Sequence, residues 1–229
     1  MSHNRTALLE DIARHHWYQT IDLGDGVSTP GETRDATANK LAMMNLPDDL
    51  AGRSVLDIGC NEGFFAFECE RRGASPVIAI DKSPAARDKF MLVRDALDSS
   101  VDFRFAELFD LPPQELGRFD LVFFLAVFHH LRHPLATLDR VAELTRGTAI
   151  MEFVEAVPRK DKNPSALVRK LSRRGHLHML PTRKFLLEIL EQSGFRDVEI
   201  LGEHRFHKLK TEKDTPGFDE QRVLLRASR

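Results

Sequence analysis

The sequence predicts a single α/β domain built around a mostly parallel, doubly wound sheet. From residue 54 onward, apolar runs of strand length alternate with helix-like stretches, which is the pattern of strand–helix–strand units in a parallel sheet. The apolar runs are also continuous rather than alternating, so the predicted strands are buried on both faces. The 229 residues and the hydrophobic share of 42% suit one such domain with a full core and some additional segments.

Seven strands are predicted, at residues 55–58, 77–80, 101–105, 121–125, 149–153, 198–201 and 222–225. Helices are predicted between them at residues 64–72, 84–97, 134–145 and 181–193, with proline or glycine at several boundaries. Residues 1–50 precede this pattern. They are predicted to form a helical arm or lid, with helices at 6–16 and 34–45. We expect the main domain at residues 51–229, with an insertion at 156–180 that breaks the rhythm.

Composition and charge exclude several classes of protein. The formal net charge of −2 provides no global field that would attract nucleic acid or a membrane surface. The longest apolar run, residues 121–128, is far shorter than the roughly 18 residues that a membrane span needs. The first residues are polar, and the two cysteines, Cys60 and Cys69, form a poor disulfide framework. We therefore predict reduced thiols, no membrane partner and a cytoplasmic location.

The run VLDIGCNEG at residues 55–63 predicts a nucleotide-binding turn. A glycine-bearing turn that ends a strand and opens a helix is where open α/β sheets bind such ligands. Asp81 ends the next apolar run, 24 residues after Asp57, at the spacing of an acid that hydrogen-bonds ribose hydroxyls. Asn61 stands where a dinucleotide turn has its middle glycine, and Asn tolerates left-handed backbone conformations. The missing glycine disfavours the alternative of a nicotinamide-binding domain.

Two further blocks complete the pattern, FAEL at residues 105–108 and FDLVFFLAVFHH at 119–130. In this order and spacing, the four blocks resemble class I S-adenosylmethionine (SAM)-dependent methyltransferases over roughly residues 54–155. The later stretch LLEILEQSGFRDVEI, residues 187–201, resembles the last helix and strand of that family. The resemblance implies a Rossmann-like, mostly parallel seven-stranded sheet with an antiparallel last strand, together with an N-terminal arm and a cap segment.

The same resemblance implies SAM as the cofactor and a set of residues that bind it. The turn would shape the pocket for the methionine portion, and Asp81 would hold the ribose hydroxyls. Glu107 and Leu108 would meet the adenine, while Leu125 and Ala126 would lie near the sulfonium. The expected cofactor-binding residues are Trp17, Asp57, Gly59, Cys60, Asn61, Gly63, Asp81, Lys82, Glu107, Leu108, Leu125 and Ala126.

The N-terminal arm narrows the resemblance. Trp17, the stretch DGVSTPGETR, and the later DIGCNEGFFAF, AIDKSP and FHHLRHPL blocks resemble the tRNA wobble-uridine carboxymethyltransferase group and its uncharacterised relatives. In that group an arm closes over the cofactor, and a lysine soon after the tryptophan pairs with the carboxylate of a carboxylated SAM. Here Tyr18 and Gln19 follow Trp17, and a neutral glutamine cannot neutralise that carboxylate. We therefore predict ordinary SAM and methyl transfer.

Two histidines after the fourth strand are candidates for a general base. Methyl transfer to a hydroxyl needs a proton acceptor, and histidine titrates near neutral pH, so His129 and His130 are predicted to be catalytic unless they only pack against the next helix. The expected substrate contacts are Phe64, Glu152, Glu155, His176 and His178, with Glu152 and Glu155 as competing bases. No metal is predicted because tight ligand spacing is missing, although His129, His133, Glu152 and Glu155 could converge on one.

The basic segment 159–174 has two interpretations. It could bind tRNA phosphates, or form a solvated helix in a cap over a small-molecule site. The second is favoured because the chain as a whole is not basic. We therefore predict methyl transfer to an oxygen or nitrogen of a small metabolite. A tRNA-modifying methyltransferase is the alternative, and a non-catalytic SAM- or RNA-binding module is the second alternative.

Overall fold

The computed structural model describes residues 2–32, 34–160, 164–171, 175, 177–205 and 217–229. The chain forms two compact units, Met1–Pro112 and Pro113–Arg229. The elements of the first unit are helix α1 (Ser2–Ala13), strands β1 (Asp22–Gly24) and β2 (Val27–Ser28), α2 (Arg34–Met44), β3 (Val55–Ile58), α3 (Phe64–Arg71), β4 (Val77–Asp81), α4 (Pro84–Leu97), β5 (Asp102–Phe105) and a 3-10 turn at Leu108–Asp110.

The second unit begins with the short helix α5. Its elements are α5 (Pro113–Leu116), β6 (Phe119–Leu125), a 3-10 turn at Phe128–His130, α6 (Pro134–Leu144), β7 (Thr145–Pro158), β8 (Leu167–Leu171), β9 (Leu177–Pro181), α7 (Arg183–Gln192), β10 (Arg196–Arg205) and β11 (Phe218–Ser228). No helix in the described part of the chain has the length and apolar composition to cross a membrane.

Seven strands form the main sheet in the order β10-β11-β7-β6-β3-β4-β5. Strands β3, β4 and β5 pair in parallel, as do β6 and β7. The last strand, β11, is antiparallel to both of its neighbours, β7 and β10. The prediction of a mostly parallel seven-stranded sheet with an antiparallel last strand is therefore confirmed.

Aromatic side chains fill the core of each unit. In the first unit, Phe90 is fully buried, and its ring centroid lies 4.7 Å from that of Phe67 and 4.6 Å from that of Phe103. In the second unit, Phe153 lies between Phe124 and Phe128, with ring centroids 6.2 and 5.3 Å away. Offset and edge-on aromatic packing of this kind stabilises the sheet–helix layers on which the site is built.

Strand β7 is much longer than the predicted strand at 149–153. It runs over 14 residues, because β11 pairs with it continuously from Ser228↔Thr148 to Phe218↔Pro158. Residues 156–158 of the predicted insertion thus continue this strand. The prediction ended too early because Glu155 follows residue 153, and acidic residues are depleted in strands.

Within the described part of the basic segment, residues 167–171 form strand β8, which pairs with β9 in a hairpin, so the prediction of a helix there is wrong. The two strands pair antiparallel from Leu167↔Pro181 to Leu171↔Leu177. Val168 and Leu180 pack with an apolar cluster that also contains Val154, Ala156 and Phe218. Burial of these side chains against β7 and β11 favours the extended conformation over a solvated helix. We call this element the cap hairpin.

Candidate active site

The turn after β3 has an unusual backbone. Gly59, Asn61 and Gly63 all have positive φ, at 73°, 52° and 92°. A Cβ atom on Gly63 would overlap the rings of Phe90 and Phe67, so only glycine fits there. The expectation that Asn61 tolerates a left-handed conformation is confirmed.

Asp81 fixes the position of this turn. One carboxylate oxygen accepts a hydrogen bond from the Asn61 N–H at 3.0 Å, and the other accepts one from the Ser83 N–H at 2.8 Å. The N–H groups of Gly59 and Cys60 donate to the Ile80 carbonyl, at 2.8 and 3.1 Å. Each carboxylate oxygen keeps a second lone pair, so Asp81 can accept further hydrogen bonds, as the predicted ribose contact requires.

Asp57 lies at the root of the turn and is only 2% exposed. Its Oδ2 atom has no hydrogen-bond partner among the described residues. Burial raises the pKa of Asp57 to about 7, the nearby Asp81 carboxylate raises it as well, and a backbone hydrogen bond from Ala66 lowers it. The turn beside it admits no side chain at Gly63. Buried polar atoms usually have partners, so this oxygen could accept from a polar or cationic group of a ligand such as SAM.

The predicted adenine contacts follow β5. The Lys82 ammonium lies 3.0 Å from a Glu107 carboxylate oxygen, and both side chains are exposed. Glu107 also begins the 3-10 turn through reciprocal side-chain to backbone hydrogen bonds with Asp110, and Leu108 is buried. The proposed roles of Lys82, Glu107 and Leu108 stay predictions, and Glu107 would share its carboxylate with Lys82.

Trp17 is buried in the N-terminal arm at 1% exposure. Its Nε1 donates to the Ile12 carbonyl at 2.8 Å, and the Lys89 ammonium lies 5.9 Å from its ring centroid. These contacts make Trp17 an anchor of the arm, while its contact with the cofactor stays a prediction. Lys89 and its partner Glu62 were missed in the sequence analysis, because Glu62 meets residues 43 and 44 positions away and no local pattern predicts such contacts.

In the second unit, β6 ends at Leu125, and Ala126 follows with a positive φ of 58°. The Ala126 N–H donates to the Glu152 carbonyl at 2.9 Å. A positive φ is unfavourable for alanine and is typically kept at ligand-binding positions. This geometry agrees with the predicted place of Leu125 and Ala126 at the cofactor, which stays a prediction.

Three predicted histidines come together in the second unit, and we call His129, His130 and His178 the histidine cluster. The ring centroids of His129 and His130 lie 3.9 Å apart, and that of His178, on the cap hairpin, lies 5.4 and 5.0 Å from them. His129 is buried, and its Nδ1 has no hydrogen-bond partner among the described residues. Burial lowers the pKa of His129 to about 2, and His130, Arg222 and His178 lower it as well.

Glu152 and Glu155 do not converge, because side chains three positions apart on a strand point to opposite faces. Glu152 pairs with Arg222 at 2.7 Å. Glu155 binds Arg183 through both carboxylate oxygens at 2.7 Å, accepts a hydrogen bond from Gln221, and lines a cavity of about 250 Å³. Within the described residues, no group of three or more His, Cys, Asp or Glu side chains is placed to hold a metal ion.

Phe64 and His176 are the two remaining predicted substrate residues. Phe64 is the first residue of α3, half-buried, with its ring 5.1 Å from that of Phe65. His176 lies outside the described residues. Their substrate roles, like those of Glu152, Glu155 and His178, stay predictions.

Comparison with known proteins decides the family. A family model described as "Methyltransferase domain" matches residues 31–200. The chain belongs to this methyltransferase family. It is 27% identical over 194 residues to the tRNA U34 carboxymethyltransferase of Wolinella succinogenes (81% of this chain, 64% of that protein). It is 30% identical over 161 residues to that of Marinobacter nauticus (67% of this chain, 47% of that protein), so it spans about half to two thirds of these relatives.

Solved structures show the same fold at low sequence identity. The N-terminal domain of EvdMO1, solved in the presence of S-adenosylhomocysteine and D-fucose, matches with a TM-score of 0.74 at 16% identity, covering 98% of this chain and 96% of that one. The Mg-protoporphyrin IX methyltransferase of Synechocystis with bound SAM has a TM-score of 0.53 at 19% identity, covering 85% and 76%. The predictions of a class I SAM-dependent methyltransferase fold and of SAM as its cofactor are confirmed at the level of the family.

Proposed function

We propose that the protein transfers a methyl group from SAM to a hydroxyl oxygen or a nitrogen of a small metabolite, with the histidine cluster on the acceptor side. The observation that carries this proposal is His129. It is a buried imidazole whose Nδ1 has no partner in the described part of the chain, beside His130 and beneath a cap hairpin that contributes His178. Buried polar atoms nearly always have partners, so an atom without one indicates a ligand contact.

SAM supplies a methyl group already activated on a sulfonium, which moves to the acceptor in one in-line displacement. The chain's task is therefore alignment and proton removal, and alignment alone contributes roughly 7–11 kcal/mol. The low pKa keeps His129 neutral at pH 7, so its imidazole can accept a hydrogen bond from the acceptor hydroxyl and orient its lone pair. The exposed His130, with its ring centroid 3.9 Å away, gives the proton a route to solvent.

Two described cations of the basic segment are paired with carboxylates, which favours a metabolite over RNA. Arg159 pairs with Asp219 at 2.9 Å, and Lys170 pairs with Glu220 at 2.6 Å. A paired cation must leave its carboxylate before it can neutralise a phosphate, so such residues contribute little to RNA affinity. Hydroxylated sugars are the first acceptors to test, because EvdMO1 was solved with D-fucose.

A tRNA substrate is the second candidate, and the names of the similar curated proteins favour it. Arg169 is exposed on β8, and Arg173 and Arg174 stand close to it in the sequence. Alanine replacement of Arg169, Lys170, Arg173 and Arg174 separates the two candidates. A loss of activity that depends on salt supports tRNA, and unchanged activity supports a metabolite.

The decisive experiment is transfer of radiolabelled methyl from SAM into a cell extract, with and without prior RNase treatment. Label that persists in the low-mass fraction after RNase supports the proposal, and label that disappears shows an RNA acceptor and so supports the tRNA candidate. SAM binding without any labelled product indicates a non-catalytic module. Tighter binding of carboxylated SAM than of SAM would overturn the assigned donor.

A further inference from the structure

Glu62 has a carboxylate that solvent does not reach. It lies between Asn61 and Gly63 at 0% exposure, inside the turn at residues 59–63 that is predicted to bind the cofactor and that we call the cofactor turn. A buried carboxylate is unfavourable unless charged and hydrogen-bonding partners compensate it. Glu62 therefore needs partners, and none of the other turn residues provides them in the described structure.

The partners of Glu62 come from the N-terminal arm and from α4. Its two oxygens accept hydrogen bonds from the backbone N–H groups of Tyr18 and Gln19, at 3.0 and 3.2 Å. The Lys89 ammonium pairs with the same carboxylate and also donates to the His16 carbonyl at 3.1 Å. Hydrogen bonds to an ionised carboxylate are roughly twice as strong as neutral ones, so Glu62 and Lys89 together hold residues 16–19.

The arm contributes to the turn in return. Gly63 is the N-cap of α3 and provides no side-chain cap. The Gln19 side-chain oxygen accepts a hydrogen bond from the Phe64 N–H at 3.1 Å, which satisfies one of the free amides at the start of α3. We call these reciprocal contacts, between residues 16–19 on one side and Glu62, Phe64 and Lys89 on the other, the clasp.

Other contacts hold the arm segment in the shape that the clasp needs. The Thr29 hydroxyl donates to the Gln19 carbonyl at 2.8 Å and accepts from the Ile21 N–H at 2.8 Å. A Cβ atom on Gly31 would overlap the backbone between Gln19 and Thr20. The two amides that meet Glu62 are thus presented by an already ordered segment.

We propose that Glu62 is a positioning residue that couples docking of the arm to binding of SAM. This inference rests on the proposed function, since it requires the turn at residues 59–63 to bind SAM. Displacing the arm would leave Glu62 buried without its amide donors and α3 without its cap, so the bound form of the turn and the docked arm stabilise each other. Coupling is reciprocal: removing the clasp weakens SAM binding, and SAM binding protects the arm.

The test compares Glu62→Gln with the unaltered protein. Calorimetry should show SAM binding weakened roughly tenfold, within the range of about 5–150-fold that is typical of coupled sites. Amide hydrogen exchange should show SAM-dependent protection of Tyr18 and Gln19 in the unaltered protein and its loss in the variant. A purely structural role of Glu62 would change exchange equally with and without SAM.

The matched control is Glu70→Gln, because Glu70 is a partly buried acid of α3, the helix that follows the turn, and its carboxylate accepts from Ser99 and Ser100. It should leave SAM affinity unchanged. If Glu62→Gln does not fold, Gln19→Ala removes only the cap of α3 and should weaken SAM binding in the same direction. Unchanged affinity and exchange in the folded variant overturn the inference, whereas no SAM binding by the unaltered protein overturns the proposed function.

Discussion

Among the residues that the structure describes, each unit buries a titratable side chain whose polar atom lacks a hydrogen-bond partner, and the two side chains have opposite charge types. In the first unit it is Asp57, at the cofactor turn, and in the second it is His129, in the histidine cluster. Burial favours the neutral form in both cases, so it raises the pKa of Asp57 to about 7 and lowers that of His129 to about 2. The contrast teaches that burial alone keeps both side chains in their neutral, hydrogen-bonding forms over part of the pH range, whichever charge they would otherwise carry.

The largest effect is expected from His129→Ala, which tests the second unit. Methyl transfer should fall by about 10²-fold or more, because the acceptor hydroxyl loses the hydrogen bond that aligns it, while SAM affinity stays the same. The measurement is the rate of label transfer beside a SAM titration. His133→Ala is the control, because His133 is exposed and lies before α6; an equal loss in both variants would remove His129 from the acceptor site.

Asp81→Ala tests the first unit, and here the main effect should be on SAM affinity. The variant loses the carboxylate that anchors the Asn61 N–H and the predicted ribose contact, so SAM binding should weaken by roughly 10–100-fold, or about 1.4 kcal/mol for each factor of ten. Calorimetry measures this directly. Unchanged affinity would undo the cofactor assignment of the whole turn.

The pH dependence of stability sharpens the comparison, because the two groups act in opposite directions. Asp57, with an ordinary pKa of 3.8 and a folded value of about 7, contributes stability that is present below its ordinary pKa and is lost as pH rises towards 7. His129, with an ordinary pKa of 6.5 and a folded value of about 2, contributes stability that is present above 6.5 and is lost as pH falls.

Between about pH 4 and 6.5 the two groups change the free energy of unfolding in opposite directions, each by at most about 1.4 kcal/mol per pH unit. Asp57→Asn should therefore make the free energy of unfolding rise with pH in this window, and His129→Asn should make it fall. Urea unfolding at several pH values measures both slopes. The explanation fails if both variants keep the slope of the unaltered protein.

The smallest effect is expected from Ala126→Gly. The left-handed conformation at Ala126 costs roughly 1–2 kcal/mol for an alanine, and glycine adds roughly 0.5–1 kcal/mol of backbone entropy. The variant should thus be more stable by about 0.5–1 kcal/mol in urea unfolding. Asn61→Gly at the turn should change stability less, since asparagine already tolerates this conformation; a larger gain there would contradict the strain assigned to Ala126.

The local features of the fold could be predicted from the sequence. Helix α4 has the predicted bounds, because Pro84 stands at its start and the Ser83 side chain caps it. The left-handed turn at Asn61 was also predictable, since it depends on nearby residues. What could not be predicted depends on distant partners: β7 extends because β11 pairs with it, and Glu62 is tolerated because the arm meets it.

The clasp also has a consequence for the order of folding. Gln19 caps a helix that starts 45 residues later in the chain, and Lys89 bonds to a carbonyl 73 residues before it. Contacts over such separations require loop closure before they stabilise anything, which slows their formation. The arm is synthesised before its partners, yet it can dock fully only after α4 has been synthesised. The cofactor turn is therefore completed as a late event in folding of the first unit.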